Sequence, residues 1–220
     1  MVATCLFKKT SILLFSIVKQ LPDQYRTISN REIDKKELAL FSGNKTLLNK
    51  EQQMLINRSF RTGKRWSLIY KATEHGFSSG DFHRLCDNHG ATLTLIETRR
   101  RLHRRKHNSI FRGYITVLWS SQHRFHHDPQ TFLFLLSQDY IIRCYLRSND
   151  QIAVSHYSTT GPGFSLNDIY ICDQSNQCNL SHSEFPYSYE DLEENGKGRK
   201  TFSKSNHFCV HEIELYAPIA

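Results

Sequence analysis

Short strand-like segments after residue 90 constrain the fold more than any other feature of the chain. Runs rich in β-branched and aromatic residues recur there, and turn-forming pairs such as Asp128-Pro129 and Asn195-Gly196 separate them. These runs predict strands over 91–96, 110–117, 131–137, 141–146, 168–172 and 212–216. The strands do not alternate regularly with helices, which argues against a parallel nucleotide-binding sheet. This part of the chain therefore predicts antiparallel sheets.

A helix and a strand are predicted ahead of these segments. Between residues 47 and 60, apolar side chains such as Leu48, Leu55 and Ile56 recur at spacings that place them largely on one side of a helix. Residues 66–71 alternate in the manner of a strand with one mixed face.

A second helix is predicted by its capping residues. Ser78 stands three residues before Asp81, so its hydroxyl can accept a hydrogen bond from the first turn. Gly90 supplies a left-handed stop. Two early helices followed by many strands predict an α+β fold, a two-sheet, mostly antiparallel β-sandwich flanked by helices.

The size and composition fit one globular domain with an extension. The chain has 220 residues, of which 39% are hydrophobic and 23% charged. A chain of this length buries enough surface to fold without disulfides. We place an N-terminal extension and linker at 1–46 and the folded domain, with its leading helix, at 47–220. The six scattered cysteines form no C-x-x-C pair, so we interpret them as reduced thiols of an intracellular protein.

The N-terminus contains an apolar run over 12–18 that follows Lys8 and Lys9. Lys19 and Gln20 stand where a signal peptide has small residues for cleavage. The run is also shorter than the roughly 20 apolar residues of a transmembrane helix. We therefore expect no transmembrane segment and a cytoplasmic location. A mitochondrial location stays open because 1–22 lacks acidic residues, and a nuclear one because of the basic cluster described below.

An ordered set of segments resembles the TLDc domain family over about residues 64–220. Each segment alone is weakly specific, but their order is characteristic. The segments are Trp66-Ser67-Leu68-Ile69-Tyr70-Lys71-Ala72, Gly76-Phe77-Ser78, Phe82-His83-Arg84-Leu85-Cys86-Asp87, Leu93-Thr94-Leu95-Ile96, Gly113-Tyr114, Trp119, Phe132-Leu133-Phe134, Gly161-Pro162, Phe164, Asp168-Ile169-Tyr170-Ile171 and Glu212-Ile213-Glu214-Leu215-Tyr216.

The resemblance implies a fold of two packed β-sheets flanked by helices. It also implies protection against oxidative stress and, through protein binding, regulation of the vacuolar proton-pumping ATPase. No established catalytic centre comes with the family, so we expect a non-catalytic domain without a cofactor. Two residues depart from the family pattern: Arg112 and Ser165 stand where the family usually has glycine, a residue that permits positive φ or close backbone approach.

Three carboxylates are candidates for partner binding. Asp168 follows a turn and opens a predicted strand, whereas Glu212 and Glu214 alternate with apolar residues and should project from one sheet face. Two interpretations stand side by side. Asp168 caps a turn and the glutamates line a solvated strand face, or all three form a partner-binding surface.

A basic cluster is the second candidate site. Arg99, Arg100, Arg101, Arg104 and Arg105, with Lys106, contribute much of the net charge of +8 without an intervening acid. The positive charge is therefore local, which disfavours a uniformly basic nucleic-acid protein. The cluster could bind nucleic acid, acidic lipid or an acidic protein surface, but it lacks aromatic platforms. A solvated hairpin loop is the favoured interpretation.

The histidines and cysteines are candidates for metal binding or catalysis. His123, His126 and His127 precede Asp128, but their spacing favours a polar surface loop over a zinc site, even with Cys172 and Cys178 as further ligands. Cys86 lies on the apolar face of its helix and is assigned to the core. The alternative function is a hydrolase or redox enzyme with a histidine or cysteine in a pocket.

Overall fold

The computed structural model describes residues 26–27, 40–43, 45–60, 63–99, 110–136, 141–148, 152–191 and 206–219. These ranges contain helices α1 (Lys50–Ser59), α2 (Ala72–His75) and α3 (Ser79–Cys86). The strands are β1 (Arg26–Thr27), β2 (Phe41–Ser42), β3 (Arg65–Lys71), β4 (Thr92–Arg99), β5 (Ile110–Ile115), β6 (Arg124–His126), β7 (Phe132–Leu136), β8 (Ile141–Tyr145), β9 (Val154–His156), β10 (Gly163–Phe164), β11 (Ser181–His182) and β12 (His207–Ile219). No helix in the described ranges is long and apolar enough to cross a membrane.

Helix α1 lies inside the predicted span 47–60 and begins at a capping box. Asn49 accepts a hydrogen bond from the backbone N–H of Gln52, and the Gln52 side chain accepts one from the backbone N–H of Asn49. This exchange satisfies two donors that a helix start otherwise leaves unpaired. The buried face includes Met54, Leu55 and Ile56, which confirms the apolar pattern of the sequence.

The Ser78 cap of α3 is confirmed, but the predicted stop is wrong. The Ser78 hydroxyl accepts a hydrogen bond from the backbone N–H of Asp81 at 3.0 Å. The helix ends at Cys86, and Asn88, rather than Gly90, has a left-handed φ of 65°. Asparagine tolerates this conformation better than most residues with a side chain.

The larger sheet has nine strands in the order β1-β8-β7-β5-β4-β12-β3-β2, with β11 paired to β12. Strand β12 is central because it pairs antiparallel with β3 on one side and with β4 on the other. Only β2, which pairs with β3, runs parallel to its neighbour among the described pairs. The smaller sheet has the order β10-β9-β6.

Apolar side chains cover both faces of the larger sheet. One cluster combines side chains of α1 with Trp66, Leu93 and Tyr114. The other cluster lies on the opposite face of the larger sheet. It contains Phe164 from the small sheet, Phe82 from α3 and side chains of the larger sheet such as Phe111. The α+β, mostly antiparallel sandwich flanked by helices is therefore confirmed.

The predicted strands are recovered with two corrections. Residues 168–172 do not form a continuous strand; Asp168 lies in a turn, and residues such as Ile169 and Cys172 form isolated bridges. Strand β12 extends well before the predicted start at 212, to His207. The short strands β6, β9 and β10 were not predicted, because two or three residues carry little periodic signal.

Residues just before the predicted boundary at residue 47 pack against the domain. Phe41 and Ser42 pair with Trp66 and Ser67 in β3. Leu40 and Phe41 are buried in the cluster that contains α1. The end of the predicted linker is thus part of the packed structure.

A close approach between the two sheets depends on Gly113 in β5. A Cβ atom at this position would overlap the ring of Phe164, which is fully buried. We expect Gly113→Ala to lower the free energy of unfolding by about 1–3 kcal/mol, because the core must shift to accept the methyl group. Urea denaturation measures this change.

Gly80→Ala is the matched control. The nearest atom to a Cβ at Gly80 is the Ser78 Oγ at 3.7 Å, and alanine is favoured over glycine in a helix by roughly 0.5–1 kcal/mol. This variant should be as stable as the parent or more so. Equal unfolding free energies for the two variants would contradict the packing described here.

Candidate functional site

Asp168 is buried and organises two neighbouring turns. Its carboxylate accepts hydrogen bonds from the backbone N–H groups of Tyr187 and Ser188, each at 2.7 Å. Its backbone carbonyl accepts a further bond from the Ser183 hydroxyl at 2.7 Å. Burial raises the pKa of Asp168, and the backbone N–H groups oppose that effect. The turn-capping interpretation is therefore confirmed for this residue.

Glu212 and Glu214 lie on one face of β12, as predicted, but that face is covered. The carboxylate of Glu214 accepts a hydrogen bond from the Lys71 Nζ at 2.6 Å. Glu212 lies 3.7 Å from the same ammonium and accepts bonds from the backbone and hydroxyl of Thr73. Burial lowers the pKa of Lys71, but the hydrogen bond and the charges of the glutamates outweigh burial and raise it.

The covering segment comes from the N-terminal side of α1. Glu214 Oε2 accepts hydrogen bonds from the Thr46 hydroxyl at 3.1 Å, the Leu47 backbone at 2.9 Å and the Tyr216 hydroxyl at 2.9 Å. Lys71 also donates to the Lys45 carbonyl at 2.6 Å. The solvated strand face is therefore wrong for Glu212 and Glu214, which are buried, while a partner-binding surface at the three carboxylates stays a prediction. Partner binding at Asp168, Glu212 and Glu214 has no exposed carboxylate to use in this conformation.

The basic cluster is only partly described. Arg99 is exposed at the end of β4, opposite Cys209 of β12. Arg100, Arg101, Arg104 and Arg105 lie outside the described residues. Since β4 and β5 pair antiparallel, the cluster belongs to the connection between them. Polyanion binding by these residues stays a prediction.

The residues of the histidine-rich stretch before β7 make separate contacts and do not form one site. The Asp128 carboxylate accepts bonds from the backbone and hydroxyl of Thr116, at 2.5 and 2.7 Å. Burial raises the pKa of Asp128, but hydrogen bonds from Thr131, Thr116 and Gln130 lower it overall. His123 bonds the Ser158 hydroxyl at 2.6 Å. In the described ranges, no three metal-ligating side chains converge, and His126 lies in β6 rather than in a loop.

His156 of β9 is a buried histidine that the sequence did not single out. Its Nδ1 lies 3.0 Å from the Ser120 Oγ, and its ring centroid is 4.3 Å from that of His126. Within the described structure its Nε2 has no hydrogen-bond partner. Burial, followed by the nearby His126, lowers the pKa of His156 to about 4. The imidazole is therefore neutral at pH 7.

The two departures from the family pattern are accommodated differently. Ser165 adopts a φ of 59°, where glycine is normally favoured, and its hydroxyl lies 3.0 Å from the Ser188 Oγ. Arg112 is buried in β5 and donates to the Ile110 carbonyl at 3.2 Å. Burial lowers the pKa of this arginine. Ser165 thus takes over the backbone conformation of a glycine and adds a contact to the Asp168 turns.

Three of the six exposed large apolar side chains in the described ranges lie on the loops around Asp168. We define the apolar rim as Leu166, Leu180 and Tyr187, of which Leu180 is 64% exposed and Tyr187 51%. The backbone N–H of Glu184 donates to the Asn167 carbonyl at 2.8 Å, and His182 lies 3.5 Å from the Asn167 side chain. These contacts connect the three loops. Sequence periodicity cannot find such a rim, because it depends on which loops meet.

The described part of the chain is a β-sandwich in which Asp168 fixes loops that carry exposed apolar residues. No group of metal-ligating side chains is found in that part. A family model described as the TLDc domain matches residues 41–218. The chain therefore belongs to the TLDc family. The match begins at Phe41, the first residue of β2. Comparison with curated proteins found no match to this chain.

The Lys71–Glu214 pair should contribute strongly to stability. Lys71→Met leaves the fully buried Glu214 carboxylate without its cation. We expect the free energy of unfolding to fall by about 3 kcal/mol, since an unpaired buried charge is unfavourable. Urea denaturation tests this, with Lys50→Met at the exposed start of α1 as control. Similar losses in both variants would show that the pair is not a stabilising contact.

The lowered pKa of His156 predicts acid sensitivity. The folded chain keeps this imidazole neutral down to about pH 4, whereas the unfolded chain binds a proton below about 6.5. The stabilisation is therefore complete above that value and is lost as pH falls towards 4, with a slope of at most about 1.4 kcal/mol per pH unit.

Denaturation curves between pH 4 and 7 measure this slope. His156→Gln should flatten it, while His89→Gln at an exposed position should leave it unchanged. A slope that is identical in the parent and in His156→Gln would overturn the assignment.

Proposed function

We propose that this TLDc domain is a non-catalytic protein-interaction module that binds a subunit of the vacuolar proton-pumping ATPase in the cytoplasm. Regulation of this ATPase would link the domain to oxidative-stress protection, as the resemblance to the family suggests. The apolar rim is the observation that carries the proposal. Aromatic and apolar residues on ordered loops are typical of the centre of protein interfaces.

The rim is suited to binding because its loops are held in place before a partner arrives. The Asp168 carboxylate fixes the turn that carries Tyr187, and the Ser165–Ser188 contact joins that turn to the one that carries Leu166. A surface that is already ordered loses little conformational entropy on binding. Asp168 therefore acts through the loops that it positions.

Binding can regulate a larger assembly without any chemical step. If the domain binds one assembly state of the ATPase more tightly than another, it shifts the equilibrium between them by the ratio of the two affinities. The size of the shift is then limited by the amount of domain bound. This requirement separates a binding module from an enzyme.

One observation favours the alternative function, a hydrolase. Ser120 and His156 are hydrogen-bonded at 3.0 Å, the contact that a nucleophile and its base require. However, an imidazole with a pKa of about 4 is a weak base at pH 7. Its second nitrogen also has no carboxylate partner among the described residues. The pair is therefore better suited to packing than to proton transfer.

An affinity capture experiment tests the rim. The full chain is used as bait at low and raised salt, and captured proteins are identified by mass spectrometry. Leu180→Asp combined with Tyr187→Asp should reduce capture of ATPase subunits about tenfold or more, since each substitution places a charge in the proposed apolar contact.

Leu118→Asp combined with Phe125→Asp is the matched control. Both residues are exposed, at 57% and 38%, and lie outside the rim: Leu118 between β5 and β6, and Phe125 in β6. This variant should capture as much as the parent. Equal loss in the two double variants, or retention in both, would contradict the assignment of the rim.

A third variant separates this proposal from polyanion binding. Neutralising Arg99, Arg100, Arg101, Arg104 and Arg105 with glutamine should leave capture of ATPase subunits intact at raised salt. Binding to polyanions is instead salt-sensitive and depends on those charges. Capture of nucleic-acid proteins alone, lost with the charges or with salt, would replace the ATPase proposal with the polyanion alternative.

A further inference from the structure

Cys172 and Cys178 bring two sulfur atoms together at the two ends of a five-residue turn. Their Sγ atoms are 3.0 Å apart, and the turn is closed by a hydrogen bond from the Gln177 backbone to the Gln174 carbonyl at 2.9 Å. A disulfide bond requires about 2.05 Å, so the atoms need to approach by only about 1 Å. Both cysteines are free thiols in this structure.

The two thiols have different surroundings. Cys172 is buried, its Sγ lies 3.3 Å from the Ser181 hydroxyl, and burial raises its pKa to about 11. Cys178 is half-buried on the solvent side of the turn. A small oxidant therefore reaches Cys178 first, and Cys172 is placed to react with the product.

We propose that Cys172 and Cys178 are a redox modification site that forms an intramolecular disulfide with hydrogen peroxide. The Cys178 thiolate attacks one peroxide oxygen and the O–O bond breaks, which yields a sulfenic acid and a hydroxide that becomes water. The Cys172 sulfur then attacks the Cys178 sulfur, the S–O bond breaks, and the departing hydroxide takes the Cys172 proton as water. In sum, two thiols give two electrons to one peroxide and yield one disulfide and two waters.

The disulfide would act on a segment that contacts both β12 and α3. The Ser175 carbonyl accepts a hydrogen bond from Val210 of β12 at 2.8 Å. Asp173 accepts one from the backbone N–H of Ser79, at the start of α3, at 2.7 Å. Closing the turn restricts its opening away from these contacts. The inference goes beyond the proposed function and does not depend on which partner the domain binds.

Peptide mapping of the full chain tests the site. Trypsin cuts after Arg147 and Lys197, which releases Cys172 and Cys178 in one peptide with no other cysteine. After treatment with hydrogen peroxide and alkylation of remaining thiols, this peptide should be unalkylated and two hydrogen masses lighter. Reduction with dithiothreitol before alkylation should restore two alkylated cysteines.

Three variants define the mechanism. Cys178→Ser should abolish the loss of alkylation at Cys172, while Cys172→Ser should leave a sulfenic acid on Cys178 that dimedone traps. Cys209→Ser, a half-buried cysteine on β12, should leave disulfide formation unchanged. Full alkylation of both thiols after peroxide treatment would overturn the proposal, and so would a disulfide from Cys178 to Cys209 or to a second chain.

Discussion

The Glu214 carboxylate is the contact on which most of this structure depends. It is fully buried within β12 and joins the segment before α1 to the end of β3 and to the Tyr216 hydroxyl of β12, through Leu47, Lys71 and Tyr216. Removing a buried charge from water is unfavourable unless it is paired and hydrogen-bonded. Glu214 meets that requirement only when these segments are all in place, so the N-terminal segment, α1 and the central strand must form together.

The same principle organises the loops around Asp168. Asp168 is buried among backbone N–H groups and fixes the turns on which Leu166 and Tyr187 are exposed. In the proposed interaction, Asp168 positions the turns, and the partner contacts belong to the neighbouring apolar side chains. The acidic residue that the sequence singles out is therefore buried, and the exposed surface consists of apolar residues on the turns that it holds.

Local sequence signals predicted what depends on local structure. Alternation predicted β3, runs rich in β-branched and aromatic residues predicted β5 and β7, and the Ser78 cap predicted the start of α3. These signals all involve residues close in sequence. Alternation also placed Glu212 and Glu214 on one face, but it could not show that residues 45–47 cover that face. The contacts Ser120–His156 and Cys172–Cys178, and the apolar rim, depend on how loops pack in three dimensions, so periodicity gives no signal for them.

We propose that the domain acts on the vacuolar ATPase by binding and not by catalysis. The most direct measurement is the assembled fraction of purified ATPase as a function of the molar ratio of added domain, followed to completion. A binding module changes that fraction in proportion to the amount bound and saturates near about one domain per complex. A complete change at a small fraction of that ratio would require turnover, and no change at any ratio would mean that the ATPase is not the partner.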